Sequence, residues 1–563
     1  MVSTMTRLAL NCCSLLLVAA WLVANHYPPW VVSHSELLAA LAAGMLAVAG
    51  MGQAQQARIG VPAAALFLAA LAVVPLLQAA TGQIFFAGDG WIAALYLLCG
   101  AWAVLWSARA AAIDEAWVVL FSAVLLAGAL LSSVVALLQF WQIDVGALFL
   151  YIAAVPRGHP PFANLAQPNQ LVSLLGVGLA GLMVLYEKRR VSGVWALAAA
   201  LLLVFTMAMT QSRTALLLFG VATLWHIGLA RRLGLRTTRW AIGGLAAAWA
   251  ALFLIWPRVV DAMGQQPLLA STADRMRAGP RTVIWSQLWD ALWLRPWTGF
   301  GWNQVSVAQM MVAGDGPQSR LVEHSHNLLL DLALWNGVPL AVLILGSAAW
   351  WFLRTLPRIR SVNGAFSALV VGLLLAHSMV EFPLDYLYFL VPFGIALGIL
   401  AEDSAASTVC TLPRAAGWGA IALFAAVTAF AAIDYWRVEE EFRDMRFAVA
   451  RIGRPMVSQA PPFISTQFTQ LAAFHHFALS TPRPGMSADE IEWMRKVAYR
   501  YGFSPSLYRY ALAQALHGDI EGARVTLQKM RNLHGDIPYL DAKRELTQLA
   551  TTDYPVLREL LLP

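Results

Sequence analysis

The sequence predicts an all-α polytopic membrane protein with about 13 transmembrane helices, a large loop on the outer side and a mostly helical soluble tail. Three observations predict it. First, 59% of the 563 residues are hydrophobic and only 12% are charged, against about 25% charged in an ordinary soluble domain. That balance excludes a soluble globular enzyme, a disordered chain and a nucleic-acid binder. Second, apolar runs near the roughly 20 residues needed to cross about 30 Å of hydrocarbon recur along most of the chain. Third, the loops between these runs alternate between rich and poor in Lys and Arg.

The runs lie near 8–24, 36–50, 61–80, 91–106, 117–140, 169–186, 192–210, 213–230, 240–256, 338–353, 363–381, 385–401 and 415–433. The pair at 192–230 is tight, broken by the polar run Thr210-Gln211-Ser212-Arg213. The first run is read as a retained helix and not a signal peptide, because Asn25-His26-Tyr27-Pro28-Pro29-Trp30 lacks a small-residue cleavage signature. Cys12 and Cys13 precede or open that run, which argues against a lipoprotein site, and no spacing among them, Cys99 and Cys410 builds a metal site or a disulfide framework.

The loop charges set the sides. One set of loops carries Arg7, Arg58, Arg109, Lys188, Arg189, Arg190, Arg231, Arg232, Arg236, Arg239, Arg354, Arg358, Arg360 and Arg414, whereas the short loops of the other set carry only Arg157 and Arg213. Basic loops stay in the cytoplasm, so the N-terminus is expected there and, with an odd number of spans, the C-terminus outside. The resulting organisation is N-terminal transmembrane helices over 1–256, a large outer loop over 257–336, further transmembrane helices over 337–433 and an outer tail over 434–563. The tail holds 31 of the chain's 69 charged residues, and that density marks it as soluble. Within it, Leu507, Ala511 and Ala515, then Ala523 and Leu527, recur at helical spacing about a break at Gly518-Asp519. The pattern resembles one tetratricopeptide-type hairpin, although a stable stack usually needs three or more.

Polar residues collect on the outer side. They include Asn25, His26 and Glu36; Gln78, Gln83 and Asp89; Arg157 to Gln170, with Gln167, Asn169 and Gln170; Arg275, Arg277, Arg281, His324, His326 and Asn327; and His377, Glu381 and Asp385. Polar groups near membrane depth are expensive and by default face a cavity and mark function; the plainer reading makes them caps and interfacial loop residues. Arg213 and Arg281 both open helices on that side, and guanidinium forks match phosphate oxygens at any working pH. The stripe Trp285, Trp289, Trp293 is either an interfacial anchor or a platform for a sugar. Three readings of His324 and His326 stay open: metal ligands, acid–base groups near neutral pH, or ordinary loop histidines. There is no His-Glu-x-x-His, P-loop or dinucleotide fingerprint, and no Asp-x-Asp in an outer loop.

Several of these runs resemble a known family. Arg213 after Gln-Ser, Pro296-Trp297-Thr298-Gly299-Phe300-Gly301-Trp302, and His326-Asn327 followed by Gly337 resemble the O-antigen ligase and polymerase superfamily. Ala166-Gln167-Pro168-Asn169-Gln170, His377-Ser378-x-x-Glu381-x-Pro383, the Pro-Trp loop with Glu36 and the long tail opening at Asp434-Tyr435 are narrower. They resemble PglL-type bacterial protein O-oligosaccharyltransferases. The resemblance covers most of residues 20–436, and no motif matches beyond about 440.

The resemblance implies a GT-C-like inner-membrane enzyme whose site faces the periplasm. It would move a preassembled glycan from undecaprenyl pyrophosphate to a Ser or Thr hydroxyl of a periplasmic or pilin-like protein, with no metal or cofactor. It implies His326 as general base, Arg213 and Arg281 on the pyrophosphate, and His324, Asn327, Gln167, Asn169, Gln170, His377 and Glu381 in support. The residues fit that chemistry: a lipid donor accounts for the membrane, a leaving pyrophosphate for the arginines, and a weak hydroxyl nucleophile for the histidine. The alternatives are an O-antigen ligase acting on lipid A–core, a repeat-unit polymerase, and, from another class, a lipid-glycan transporter or flippase. No internal repeat of the kind many transporters carry is visible. Periplasmic cysteine-accessibility labelling should reach 257–336 and miss Arg231–Arg239; the reverse pattern would invert the topology.

Overall fold

The computed structural model describes residues 4–52, 58–143, 146, 151–156, 159–264, 281–314, 318–405, 408–449 and 464–561. Arg157, Arg275 and Arg277 lie outside the described residues. Most of the described residues are helical. Among the described residues ten helices are long and apolar enough to cross a membrane: Thr4–Leu22, Ser33–Gly52, Ala63–Ala80, Ala87–Ile113, Ala116–Trp141, Pro168–Glu187, Thr214–Leu233, Arg239–Ala262, Leu328–Arg358 and Arg414–Phe447. The other three predicted spans coincide with the shorter helices Gly193–Met209, Val362–His377 and Leu387–Asp403. Each predicted run therefore falls on a helix, and the three shorter ones are 17, 16 and 17 residues long.

Helix ends depart from the apolar runs for a consistent reason: hydropathy marks where lipid ends, not where hydrogen bonding ends. The Arg239–Ala262 helix continues past 256 with Pro257 inside it. The Arg414–Val449 helix runs through the expected boundary at 434, because its polar residues Arg437, Glu439, Glu440 and Glu441 are themselves good helix formers. An all-α reading also missed one feature. Arg58–Pro62 pairs antiparallel with Thr408–Pro413, matching Ile59 to Leu412 and Val61 to Cys410. Cys410 is thus on a strand. Each strand is too short to show a period, and its partner lies some 350 residues away.

The described chain forms two compact units. The first comprises Met1–Ala72, Leu95–Arg277 and Ser347–Phe430. Its innermost helices are Leu387–Asp403, buried continuously from Leu387 to Ala401, and Pro168–Glu187, buried over most of its length. A helix apolar all round is expected at a core. Gly178 and Gly181 of the second press on Ala129 and on the Ser122 carbonyl of Ala116–Trp141, the small-residue contact that lets membrane helices approach closely. Glu36, buried in the first turn of Ser33–Gly52, accepts the Leu387 N–H at 2.6 Å. It satisfies a donor that the start of the Leu387–Asp403 helix would otherwise leave orphaned.

The second unit comprises Val73–Ala94, Ala278–Gly346 and Ala431–Pro563. Its joint is a break in the Leu328–Thr355 helix at Gly337, whose φ of 76° and ψ of 163° are open essentially to glycine alone. Backbone N–H groups of Phe300 and Gly301 donate to Leu334 O and Trp335 O at 2.7 and 3.0 Å, and Val338 N donates to Pro296 O at 2.7 Å. A Cβ on Gly299 would lie 2.6 Å from Leu334 O and Gly337 N. The Pro296–Trp302 run is therefore a backbone clasp on the helix break.

The tail carries Thr469–Leu479, Ala488–Arg500, Ser504–Leu516, Ile520–His534, Asp536–Thr552 and Leu557–Leu561. The expected hairpin is Ser504–Leu516 with Ile520–His534, turned at Gly518 with Asp519 capping the second helix. Gly337→Ala should lower the thermal midpoint by the equivalent of about 1–3 kcal/mol, because it combines strain with a steric clash. Gly346→Ala, in the same helix with nothing within 4 Å of its Cβ, should be neutral or gain up to about 1 kcal/mol. Equal effects in the two variants, read by thermal unfolding, would contradict the clasp.

Candidate functional site

In the first unit the Gln-Pro-Asn run leads into the Pro168–Glu187 helix with Pro168 at its first position, the place where a missing N–H costs nothing. Ala163 and Ala166 before it have φ of 53° and 59°, left-handed values uncommon for residues other than glycine. This loop aims two amides at one carboxylate. Asn169 Nδ2 donates to Glu381 Oε1 at 2.7 Å and Gln167 Nε2 to Glu381 Oε2 at 3.2 Å. Ser212 Oγ donates to Asn169 Oδ1 at 2.5 Å. Glu381 is buried, and the chain is thereby fixed from Glu381 through Asn169 to Ser212. The next residue, Arg213, opens the Thr214–Trp225 helix with its side chain exposed and, among the described residues, without an ion-pair partner. An exposed cation rooted in a rigid buried network is suited to meeting an anion from outside.

Gln170 and His377 do different work. Gln170 Oε1 accepts from Tyr388 OH at 2.6 Å. His377 is fully buried and hydrogen-bonds Ser173, joining Val362–His377 to Pro168–Glu187. Both are buried and join helices within the first unit, as does Glu36. His26 bonds the Asn164 carbonyl at 2.9 Å.

In the second unit, Arg281 begins the Arg281–Leu294 helix. One turn on, Trp285 Nε1 donates to Ser325 O at 2.7 Å. Residues four apart share a helix face, so Arg281 lies on the face that holds the segment 324–327. Ser325 N donates to Asp331 Oδ1 at 2.8 Å, and Ser325 Oγ donates to Asn327 O at 2.9 Å. Asn327 caps the Leu328–Thr355 helix, its Oδ1 accepting from Leu329 N and Leu330 N at 3.0 and 3.1 Å. Between these fixed points His326 has φ of 58°. A non-glycine residue held there costs on the order of 1–3 kcal/mol, and such strain gathers at functional sites. His326 is partly buried and interacts electrostatically with Asp331.

His324 is in another state. Burial, then the Arg500 guanidinium and then His326, push its pKa down to about 3, so it is neutral at physiological pH. Arg500 belongs to the tail. Its Nε and a terminal nitrogen donate to the two oxygens of buried Asp89 at 3.0 and 2.9 Å, and its carbonyl accepts from Ser306 Oγ at 3.0 Å. Thr469 and Gln467 bind the same turn, accepting from Gly88 N at 2.8 Å and Trp91 Nε1 at 3.0 Å. The tail thus braces the turn at Gly88–Trp91 and the helix that carries Ser306. The sequence marks Asp89 as a polar residue near a helix end, but Arg500 carries no local signal, being one of many tail charges.

Of the tryptophan stripe, Trp285 is committed to Ser325, whereas Trp289 and Trp293 are exposed and stack edge to face at 5.7 Å. Among the described residues no three His, Cys, Asp or Glu side chains gather as a metal ion would require.

Comparison with known proteins adds an independent finding. Residues 198–345 match the family described as O-antigen ligase, and residues 366–548 the family described as virulence factor membrane-bound polymerase, C-terminal. The first match contains Arg213, Arg281, His324, His326 and Asn327; the second contains His377 and Glu381 and runs through most of the tail. The chain is 29% identical over 425 residues to a general O-oligosaccharyltransferase of Acinetobacter baylyi, covering 73% of each chain. It is also 29% identical over 250 residues to a ComP-specific O-oligosaccharyltransferase of the same organism, covering 44% of this chain and 45% of that one.

The neutral state of His324 has a consequence for stability. Between the ordinary value near 6.5 and about 3, the unfolded chain binds a proton at this position that the folded protein does not. Stability is therefore complete above about pH 6.5 and falls as pH drops toward 3. His324→Gln should flatten the loss of thermal midpoint between pH 7 and 4; an unchanged acid slope would contradict a buried neutral imidazole.

Proposed function

We propose that the chain, which matches the O-antigen ligase family over residues 198–345 and the membrane-bound polymerase C-terminal family over 366–548, is a multi-pass membrane glycosyltransferase acting on protein. It moves a preassembled glycan en bloc from undecaprenyl pyrophosphate to a Ser or Thr hydroxyl of a periplasmic or pilin-like protein, from a site facing the periplasm across the bacterial inner membrane. The observation that carries this reading is the Trp285–Ser325 hydrogen bond. It ties the helix face of a cation, Arg281, to the strained segment of an imidazole, His326, which are the two groups the reaction needs. The two relatives, named as O-oligosaccharyltransferases, support a protein acceptor.

In the proposed reaction the acceptor hydroxyl oxygen attacks the anomeric carbon of the first sugar. The bond from that carbon to the phosphate oxygen breaks, and the pyrophosphate leaves with the electron pair. His326 takes the hydroxyl proton; with His324 held neutral by its surroundings, His326 is the member of the pair placed to do so. Arg281 and Arg213 stabilise the charge that develops on the leaving pyrophosphate. Fixed cations suffice for a leaving group already this good, so no metal is required. Gln167, Asn169 and Glu381 position Arg213 through Ser212. Asn327 sets the helix start that orients His326.

The test is transfer in reconstituted membranes with a polyprenyl-pyrophosphate-linked glycan, an acceptor protein and no nucleotide. His326→Ala should keep its fold and lose about 10²–10⁴-fold in turnover, the range for a general base. Arg213→Lys should lose most activity, because a point charge does not reproduce the guanidinium fork. Chelators should have no effect. Wild-type turnover in both Arg213→Ala and Arg281→Ala would remove the arginines from the mechanism. Rescue of a chelated enzyme by a divalent cation would replace the base reading of His326 with a metal site.

A further inference from the structure

The first unit has a partly open cavity of about 560 Å³ whose lining includes none of the residues assigned to the transfer reaction. It lies between the helices Pro168–Glu187, Gly193–Met209, Thr214–Trp225 and Arg239–Ala262, and its size is within the roughly 300–1,000 Å³ of ordinary ligand pockets. Its walls are apolar, formed by side chains such as Leu179, Met183, Leu201, Phe219 and Leu245. One end is polar, formed by Tyr186, Arg236, Thr237 and Thr238. Tyr186 is eighteen residues along the helix from Pro168, roughly 27 Å at 1.5 Å per residue. The polar end is therefore at the far end of that helix from Asn169, Glu381 and Arg213.

The charge at this end is one-sided. Arg236 lies over the Tyr186 ring, 4.2 Å from its centroid, and donates to the Tyr186 carbonyl at 2.8 Å. The one carboxylate nearby, Glu187, is occupied by neutral donors: Arg236 N at 2.9 Å, and Thr237 N and Oγ1 at 2.6 Å each. Arg189, Arg190 and Arg239 flank the mouth in sequence and are exposed. Among the described residues none of these four arginines forms an ion pair. Around the cavity the surface is apolar: Trp195 is 73% exposed and Trp240 76%, values that in a membrane-spanning chain place both against lipid.

We propose that this cavity is a binding site for an anionic glycerophospholipid, with an acyl chain between the helices and the phosphate headgroup at Arg236 and Thr238. Basic pockets between transmembrane helices on the side of the basic loops take such headgroups. An apolar slot continuous with lipid-facing surface admits a chain, and an uncompensated guanidinium at its end selects the headgroup charge. The proposal is independent of the transfer reaction.

The experiment uses the full chain purified in neutral detergent, with thermal unfolding and native mass spectrometry as readouts. Phosphatidylglycerol should raise the midpoint and be retained as a bound lipid, whereas phosphatidylcholine and inorganic phosphate should do neither. Gly244→Leu fills the cavity: Gly244 lines it, and its Cβ would meet nothing within 4 Å. That variant should fold, since leucine favours helix over glycine, and lose retention of phosphatidylglycerol at least tenfold. Arg236→Ala should erase at least fivefold of the preference over phosphatidylcholine while keeping the unliganded midpoint. Equal stabilisation by both lipids, a shift with phosphate alone, undiminished retention in both variants, or displacement of phosphatidylglycerol by an equimolar polyprenyl phosphate would each overturn the assignment.

Discussion

In hydrocarbon a backbone group that leaves a helix must find another partner inside the protein, and the second unit depends on how this is met at Gly337. The carbonyls of Leu334 and Trp335, released where the helix breaks, are taken by Phe300 and Gly301. Glycine is needed on both sides, at 337 for the dihedral angles and at 299 for the approach. Gln78 reinforces the joint by donating to Trp335 O at 3.0 Å and accepting from Trp302 N at 2.9 Å. On the helix so anchored, Asn327 makes the cap and Asp331 takes the Ser325 N–H. His326 thus inherits its strained backbone from contacts that begin at a motif without reactive side chains.

The fold was legible in the sequence wherever one segment decides its own structure. Apolar runs mark helices because solvent and helix period act locally. The break at Gly518-Asp519 was readable for the same reason. What stayed hidden was pairing across long separations. The strand pair of Arg58–Pro62 with Thr408–Pro413 is one case, and the bond from Arg500 to Asp89 across more than 400 residues is another. Interleaving of the Val73–Ala94, Ala278–Gly346 and Ala431–Pro563 segments into one unit follows from such contacts. No window of sequence contains them.

The polar residues divide in a way their positions did not announce. Glu36, Gln78, Asp89, Gln170 and His377 share one logic: each satisfies a buried partner. Arg213 follows the opposite logic, an exposed cation set on a buried network. Residue type alone does not separate the two classes, since both occur at or near helix ends. Left-handed backbones occur in the candidate loops at Ala163, Ala166, Gln211 and His326, as they do elsewhere at Gln142, Arg189, Asn303 and Ala405, and that feature exists only in three dimensions.

The central claim is that the acceptor is a protein. It is tested most directly by comparing cells that carry the intact chain with cells lacking it, using mass spectrometry of envelope and pilus proteins alongside a lipopolysaccharide gel. The account predicts that one or more proteins lose a glycan mass on a Ser or Thr residue while the lipopolysaccharide ladder is unchanged. Unmodified proteins in both strains together with a lost ladder would contradict it and assign the chain to lipid A–core ligation.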